Sequence, residues 1–155
     1  MPAFFPIALL LLTALTPLCL SAGPEATDDS RLKMYYGLAE GHYLSGNFPA
    51  ANKIIQEILR LDPKHPQALE LKARLLLEGD PEASAAVTTS VTLHAIDASL
   101  SETTDSASVE ASKLRLARAR LLARSGETEA AIRELQSLTS QQPDHLEATL
   151  TLVAL

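Results

Sequence analysis

Apolar residues recur every three or four positions along most of the chain beyond residue 30, the spacing that places them on one face of an α-helix. We predict helices at Arg31–Leu44 and Phe48–Leu61, joined by a turn in which Gly46 can adopt the positive φ of a helix C-cap. The second helix carries the clearest apolar stripe, formed by Ala50, Ala51, Ile54, Ile55, Ile58 and Leu59. It ends before Pro63, because proline disfavours helix at the preceding residue.

The same pattern returns later in the chain. Residues 39–68 align without a gap with residues 119–148, at an offset of 80. Nine pairs are identical: Ala39/Ala119, Ser45/Ser125, Gly46/Gly126, Ala50/Ala130, Ala51/Ala131, Gln56/Gln136, Pro63/Pro143, His65/His145 and Ala68/Ala148. A weaker middle copy contains Ala73 and a turn-like segment at 79–84. The sequence therefore predicts an array of helix–turn–helix units.

This array resembles the tetratricopeptide repeat over about Leu32–Leu155. That family has units of about 34 residues, with small residues at the eighth and twentieth positions and proline near the end. With Pro63 and Pro143 in register, the small residues are Ala39, Ala51, Ala119 and Ala131. The resemblance implies an all-α fold, a short right-handed solenoid of antiparallel helix pairs with about three repeats and a final helix. A Sel1-like or other helical-hairpin repeat is the competing family and predicts nearly the same shape.

Three features depart from the family pattern. Arg115 and Arg118 occupy positions where the family prefers large apolar residues, and the middle copy lacks the closing Asp-Pro. The offset of 80 exceeds two units of about 34 by 12, so we predict an inserted loop near 99–108, a stretch rich in Ser, Thr and acidic residues. The alternative is that this stretch is a binding or phosphorylated segment.

A last helix is predicted at His145–Leu155, with Asp144 as its N-cap. No further helix follows it in the sequence, which leaves three interpretations. It caps the third repeat, it offers an apolar face that pairs with another chain, or the reading frame is truncated.

The first segment is strongly apolar. Residues 4–20 fit a signal-peptide core or a short membrane span, and no charged side chain precedes Glu25. Pro17 and the small residues that follow favour a cleaved signal peptide, although Lys and Arg are missing near the N-terminus. We therefore divide the chain into a signal peptide or N-terminal anchor at 1–22, a linker at 23–30 and the repeat domain at 31–155. The expected location is the periplasm or the extracellular space, with inner-membrane anchoring as the alternative.

The composition argues against several classes of function and site. The chain has 13 Lys and Arg against 19 Asp and Glu, a formal net charge of −6, which argues against a nucleic-acid binder. Cys19 is the single cysteine, so an intramolecular disulfide and a CxxC site are excluded. His65 and His145 follow equivalent prolines, which indicates turn residues rather than metal ligands. We predict no catalytic residue, no cofactor and no metal site, and hence no enzyme.

The resemblance also implies a binding surface, because the first helix of each repeat in this family lines a concave groove. The candidates by repeat position are Lys33, Tyr36, Glu40, Tyr43, Gln67, Glu70, Arg74, Lys113, Arg120 and Arg124. The two tyrosines would supply flat apolar contacts, and the last three cations would form a basic end that holds an acidic peptide. The alternative is a solvated charged face without a ligand.

These features predict a non-catalytic, exported adaptor or scaffold that binds a peptide or helix of another protein. The first alternative is a self-assembling structural subunit of a cell-envelope complex, a homo-oligomer formed through His145–Leu155. The second is a truncated fragment of a larger repeat protein. An alternative from the enzyme class is a hydrolase fragment that lacks its catalytic half. Contact with a membrane is expected only if the leader stays uncleaved.

Overall fold

The structure is a computed structural model, and it describes residues 24–78, 86–105 and 108–155. This part of the chain contains seven helices and no strand. The helices are α1 (Pro24–Leu44), α2 (Phe48–Leu61), α3 (Pro66–Glu78), α4 (Ala86–Glu102), α5 (Val109–Arg124), α6 (Thr128–Gln141) and α7 (Leu146–Ala154). The predicted all-α fold is confirmed, and α2 has the bounds that the sequence predicts.

Helices pack in the order of a repeat solenoid. Helix α1 packs against α2 and α5 against α6, and these two pairs are the most extensive contacts of the described residues. Helix α3 contacts α1 on one side and α5 on the other, so the first helices of successive units lie side by side. This row of first helices forms one face of the molecule.

Small residues occur where the helices approach each other most closely. Ala39, Ala51, Ala73, Ala119 and Ala131 are all 0% exposed, and each occupies the eighth or twentieth position of its unit. A larger side chain at any of these positions would push the paired helices apart.

Both turns within the helix pairs close as the sequence predicts. Gly46 has φ +75° and Gly126 has φ +90°, the left-handed region in which a Cβ is strained. The amide of the next residue then donates to a carbonyl of the preceding helix, Asn47 to His42 and Glu127 to Leu122.

The first helix is longer than expected. The segment 23–30, expected as a linker, is helical from Pro24 onwards. Two ion pairs within α1 support this extension, Arg31 to Asp28 at 3.3 Å and Lys33 to Asp29 at 2.9 Å. The leader predicted at 1–22 lies outside the described residues, as does the middle turn predicted at 79–84.

The inserted loop is shorter than expected, because helix α4 includes residues 99–102 of the predicted loop at 99–108. The end of α4 is fixed to the turn between α2 and α3. The Ser99 hydroxyl donates to the Lys64 carbonyl at 2.9 Å, and the Lys64 ammonium pairs with Glu102. Three of the extra residues therefore lengthen α4, which has 17 residues against 14 for α2 and for α6.

The two arginines that depart from the family pattern form a polar seam between α5 and α6. Arg115 Nε lies 2.7 Å from a Glu134 oxygen, and its guanidinium also donates to Ser137 and Gln141. Arg118 pairs with the second Glu134 oxygen at 2.9 Å and with Asp97 of α4 at 2.6 Å. Ion pairs thus replace the apolar contact that large aliphatic residues would make at these two positions.

Helix α7 has the predicted position but a different cap. The acceptor is not Asp144 but His145, whose Nδ1 accepts from the Ala148 amide at 3.2 Å. Ala148 is buried, whereas the side chains of Leu146, Leu150 and Val153 are 70%, 61% and 81% exposed. Within the described residues, α7 therefore packs against α6 and keeps most of its apolar surface in solvent.

Candidate functional site

An open cleft of about 270 Å³ lies on the face formed by the first helices of the repeats. Four helices contribute to it, α1, α3, α5 and α7. The lining residues are Tyr36, Glu40, Glu70, Arg74, Leu77, Glu78, Lys113, Leu116, Ala117, Arg120 and Glu147. A smaller depression of about 60 Å³ continues it toward the start of α3 and α5, where Pro66, Gln67 and Glu110 join the lining.

Apolar side chains of α3 and α5 line the cleft together with ionisable side chains from all four helices. Leu116 and Ala117 of α5 are almost fully buried, and Leu77 of α3 is partly buried. The ionisable side chains rise from these helices and from α1 and α7. Such a combination offers apolar contact together with hydrogen-bonding groups, as binding sites in proteins commonly do.

Two of the cleft's cations have intramolecular partners. Arg74 lies 3.7 Å from a Glu70 oxygen, and Arg120 lies 2.9 Å from a Glu147 oxygen. Arg120 also donates to the Thr151 hydroxyl at 3.2 Å. Because Glu147 pairs with Arg120, Lys113 is the cation of the expected basic end that lines the cleft without an ion pair within the described residues.

Glu70 is a largely buried carboxylate of the cleft, with a side chain that is 17% exposed. Desolvation raises the pKa of Glu70 above its ordinary value of 4.5, and the nearby charges of Glu147 and Glu40 act in the same direction. The positive charges of Arg74 and Lys113 lower the pKa but do not offset burial. The cleft therefore holds one carboxylate whose ionised form is poorly solvated.

The two tyrosines proposed as groove residues differ in exposure. Tyr36 is half-buried in the cleft wall and stacks on His65, with ring centroids 6.5 Å apart. Burial raises the pKa of Tyr36, with the charges of Glu40 and Glu70 adding to the effect. Tyr36 therefore presents a neutral phenol to the cleft.

Tyr43 instead belongs to the core. Its ring is buried against Phe48, and its hydroxyl donates to the Glu78 carboxylate. The Arg74 guanidinium lies over the ring, 4.6 Å from its centroid. Tyr43 therefore positions Arg74 and Glu78 but does not itself line the cleft.

Two further candidates lie outside the cleft. Lys33 is exposed and pairs with Asp29 on its own helix. Arg124 donates to the carbonyls of Leu76 and Leu77, the latter at 2.7 Å, and so caps the end of α3. The other candidates, Tyr36, Glu40, Gln67, Glu70, Arg74, Lys113 and Arg120, line the cleft or the depression beside it.

The structure adds lining residues that the sequence analysis missed. Leu77 and Glu78 lie one helical turn beyond Arg74, and Leu116 lies between Lys113 and Arg120. Glu147 comes from α7, at the repeat position that Lys33 and Gln67 occupy in earlier units. Extending the repeat numbering into the last helix would have identified Glu147.

Neither a metal cluster nor a membrane-spanning helix is found among the described residues. No group of three or more His, Cys, Asp or Glu in that part of the chain could hold a metal ion. Within residues 24–78, 86–105 and 108–155, every helix is too short or too polar to cross a bilayer.

Two models of the tetratricopeptide repeat match the chain, one over residues 36–88 and the other over residues 112–155. Together they cover more than half of its length. Searches of curated proteins and of solved structures returned no match. The two matches agree with the paired helices and with the buried alanines at the eighth and twentieth positions. The chain therefore belongs to the tetratricopeptide repeat family.

Proposed function

We propose that the chain is an exported adaptor or scaffold that binds a peptide or helix of another protein in the cleft between α1, α3, α5 and α7. Tetratricopeptide repeats generally mediate protein–protein interaction. The observation that carries the proposal is that successive first helices contribute ionisable side chains, together with Leu77 and Leu116, to one continuous cleft.

The shape of the cleft favours a polypeptide as its occupant. It is open along the row of helices, and its polar groups are spread over four of them. A bound segment would therefore contact several repeats at once and gain affinity from each. Repeat proteins of this family are generally non-catalytic scaffolds, so the proposal involves binding without a chemical step.

Site-specific photo-crosslinking in cells that express the chain tests this proposal. Benzoylphenylalanine replaces Tyr36 or Glu40 in the cleft, and Arg133 or Gln136 on the exposed face of α6 serves as the control position. We expect one and the same partner at both cleft positions and not at the control positions. Capture of that partner only through α6 would contradict the proposed site.

Export is the second part of the proposal, and the apolar stretch at 4–20 supports it. Intact-mass measurement of the chain from the producing cell tests it. We expect a mature chain that begins near residue 22 and is recovered outside the cytoplasm. A full-length chain in the cytoplasm would contradict export, and a full-length chain in the membrane fraction would indicate the anchor.

Self-assembly through α7 is the second candidate function, because Leu150 and Val153 are largely exposed on that helix. The test is the mass of the chain in solution as a function of concentration. Self-assembly would be favoured by a dimer that dissociates in the Val153→Glu variant and persists in the Ala154→Glu variant. A monomer at every concentration would exclude it.

A further inference from the structure

We propose that the cleft selects a partner segment with a basic side chain, which lies against the wall formed by Glu40 and Glu78. This inference rests on the proposed function, since it assumes that the cleft is the binding site. It reverses the preference for an acidic peptide that the sequence suggests.

The cleft has two walls of opposite sign. Helices α1 and α3 contribute the carboxylates of Glu40, Glu70 and Glu78 against the single guanidinium of Arg74. Helices α5 and α7 contribute two cations, Lys113 and Arg120, against Glu147 alone. The α1–α3 wall therefore carries two net negative charges and the α5–α7 wall carries one net positive charge.

The carboxylates of the acidic wall are only partly compensated. Arg74 pairs with Glu70 and lies over the ring of Tyr43. Glu40 is half-buried and has no ion pair within the described residues. Glu78 is exposed and accepts a hydrogen bond from the neutral hydroxyl of Tyr43, which leaves its negative charge uncompensated by that contact.

Of the two cations on the opposite wall, Arg120 is engaged, whereas Lys113 is exposed and has no ion pair within the described residues. The ion pair with Glu147 and the hydrogen bond with Thr151 engage Arg120. Lys113 lies close enough to Glu70 for its positive charge to lower the pKa of that carboxyl. A partner's carboxylate would have to compete with Glu147 for Arg120. A partner's ammonium would meet three carboxylates on the acidic wall against the single guanidinium of Arg74, which acts on both Glu70 and Glu78.

Charge complementarity thus defines the occupant. An extended or helical segment with aliphatic side chains on Leu77 and Leu116 would place a Lys or Arg side chain beside Glu40 and Glu78. The net charge of −6 on the whole chain would steer the same partner toward the molecule.

The test compares two fluorescein-labelled peptides, one of alternating Leu and Lys and the other of alternating Leu and Glu, each with a benzophenone at its centre. Fluorescence anisotropy with the full chain gives the dissociation constants, and mass spectrometry locates the crosslinks. The decisive variant is Glu40→Gln with Glu78→Gln. Its control is Glu57→Gln with Glu129→Gln, which removes the same charge from exposed sites outside the cleft.

We expect the Leu-Lys peptide to bind more tightly and to crosslink beside Leu77 or Leu116. The cleft variant should weaken it about five- to tenfold, and the control variant by less than about twofold. Equal weakening by both variants, or tighter binding of the Leu-Glu peptide within the cleft, would overturn the inference and leave the proposed function standing. Crosslinks confined to residues outside the cleft, or no binding of either peptide, would overturn both.

Discussion

Arg115 and Glu134 form an ion pair of 2.7 Å between α5 and α6, with side chains that are 11% and 17% exposed. Glu134 also pairs with Arg118, so one carboxylate compensates two guanidiniums at this seam. Removing it leaves Arg115 poorly solvated and without an ion pair, and leaves Arg118 with Asp97 alone. We expect Glu134→Ala to lower the free energy of unfolding by about 3 kcal/mol.

Urea denaturation followed by circular dichroism measures this loss, with Glu129→Ala on the exposed face of α6 as the control. The double variant Arg115→Leu with Glu134→Leu should recover part of the stability, because it replaces the more buried ion pair by an aliphatic contact, while Arg118 keeps its pair with Asp97. A Glu134→Ala chain as stable as its control would mean that the seam contributes little.

Ala51 is expected to be intolerant of enlargement. It is 0% exposed at the close approach of α1 and α2, so Ala51→Leu should destabilise the chain by about 1–3 kcal/mol through overpacking. Gln56→Leu adds a leucine to an exposed position of the same helix and should change stability little. An unchanged melting temperature for Ala51→Leu would contradict the repeat register.

Gly46 and Gly41 should respond to alanine in opposite directions. Gly46 has φ +75°, so Gly46→Ala forces a strained backbone and should cost about 1 kcal/mol. Gly41 is helical and a Cβ there meets nothing within 4 Å, so Gly41→Ala should stabilise α1 by about 0.5–1 kcal/mol. Thermal unfolding of the two variants checks both signs, and a shift of the same sign in both would contradict this assignment.

His65 is expected to act as a helix cap. Its Nδ1 accepts from the Ala68 amide at 3.3 Å, as Nδ1 of His145 does from Ala148. His65→Ala should lower stability by about 1 kcal/mol, whereas His65→Asn keeps a side-chain acceptor and should retain most of it. Equal losses in both variants would point instead to the stacking of His65 on Tyr36.

Glu70 should make the stability of the chain depend on pH. Burial raises its pKa, so the folded chain binds this proton more tightly than the unfolded chain does. Ionisation therefore costs stability as the pH rises through the range just above 4.5, the ordinary value. Glu70→Gln removes that cost and should raise the melting temperature at neutral pH.

The same substitution should have less effect at about pH 4, below the ordinary value, where the carboxyl is mostly protonated in the unfolded chain and more so in the folded chain. Differential scanning calorimetry at the two pH values, with Glu129→Gln as a control, measures the difference. A lower melting temperature for Glu70→Gln at neutral pH would show that the pair with Arg74 outweighs burial.

The sequence was sufficient for the fold because its strongest signals are local. The spacing of Ala39 from Ala51 and the glycine between them follow from the geometry of one helix pair, and they recur with Ala119 and Ala131. The end of α4 was not predictable in this way. It depends on Ser99 meeting the Lys64 carbonyl, a contact between residues 35 apart in the chain.

The roles of residues in the candidate site were likewise not predictable from local spacing alone. Tyr36 and Tyr43 lie on one side of α1, and the helical period does not distinguish them. Their different roles come from α3, which supplies Glu78 to the hydroxyl of Tyr43 and the Arg74 guanidinium above its ring. The positive charge of Arg120 was visible in the sequence, but its partner Glu147 lies on a different repeat.

Arg124 of α5 completes the carbonyl end of α3, a contact that spans 47 positions of the chain. The last turn of α3, the first helix of the second repeat, is therefore closed by a side chain of the third repeat, in addition to the packing of α3 on α5. In a nearest-neighbour description of repeat proteins, this contact raises the coupling free energy between the two repeats above the value that buried area alone provides. Amide hydrogens at the end of α3 should exchange together with those of α5, as one cooperative unit whose boundary does not coincide with the boundary of the repeats.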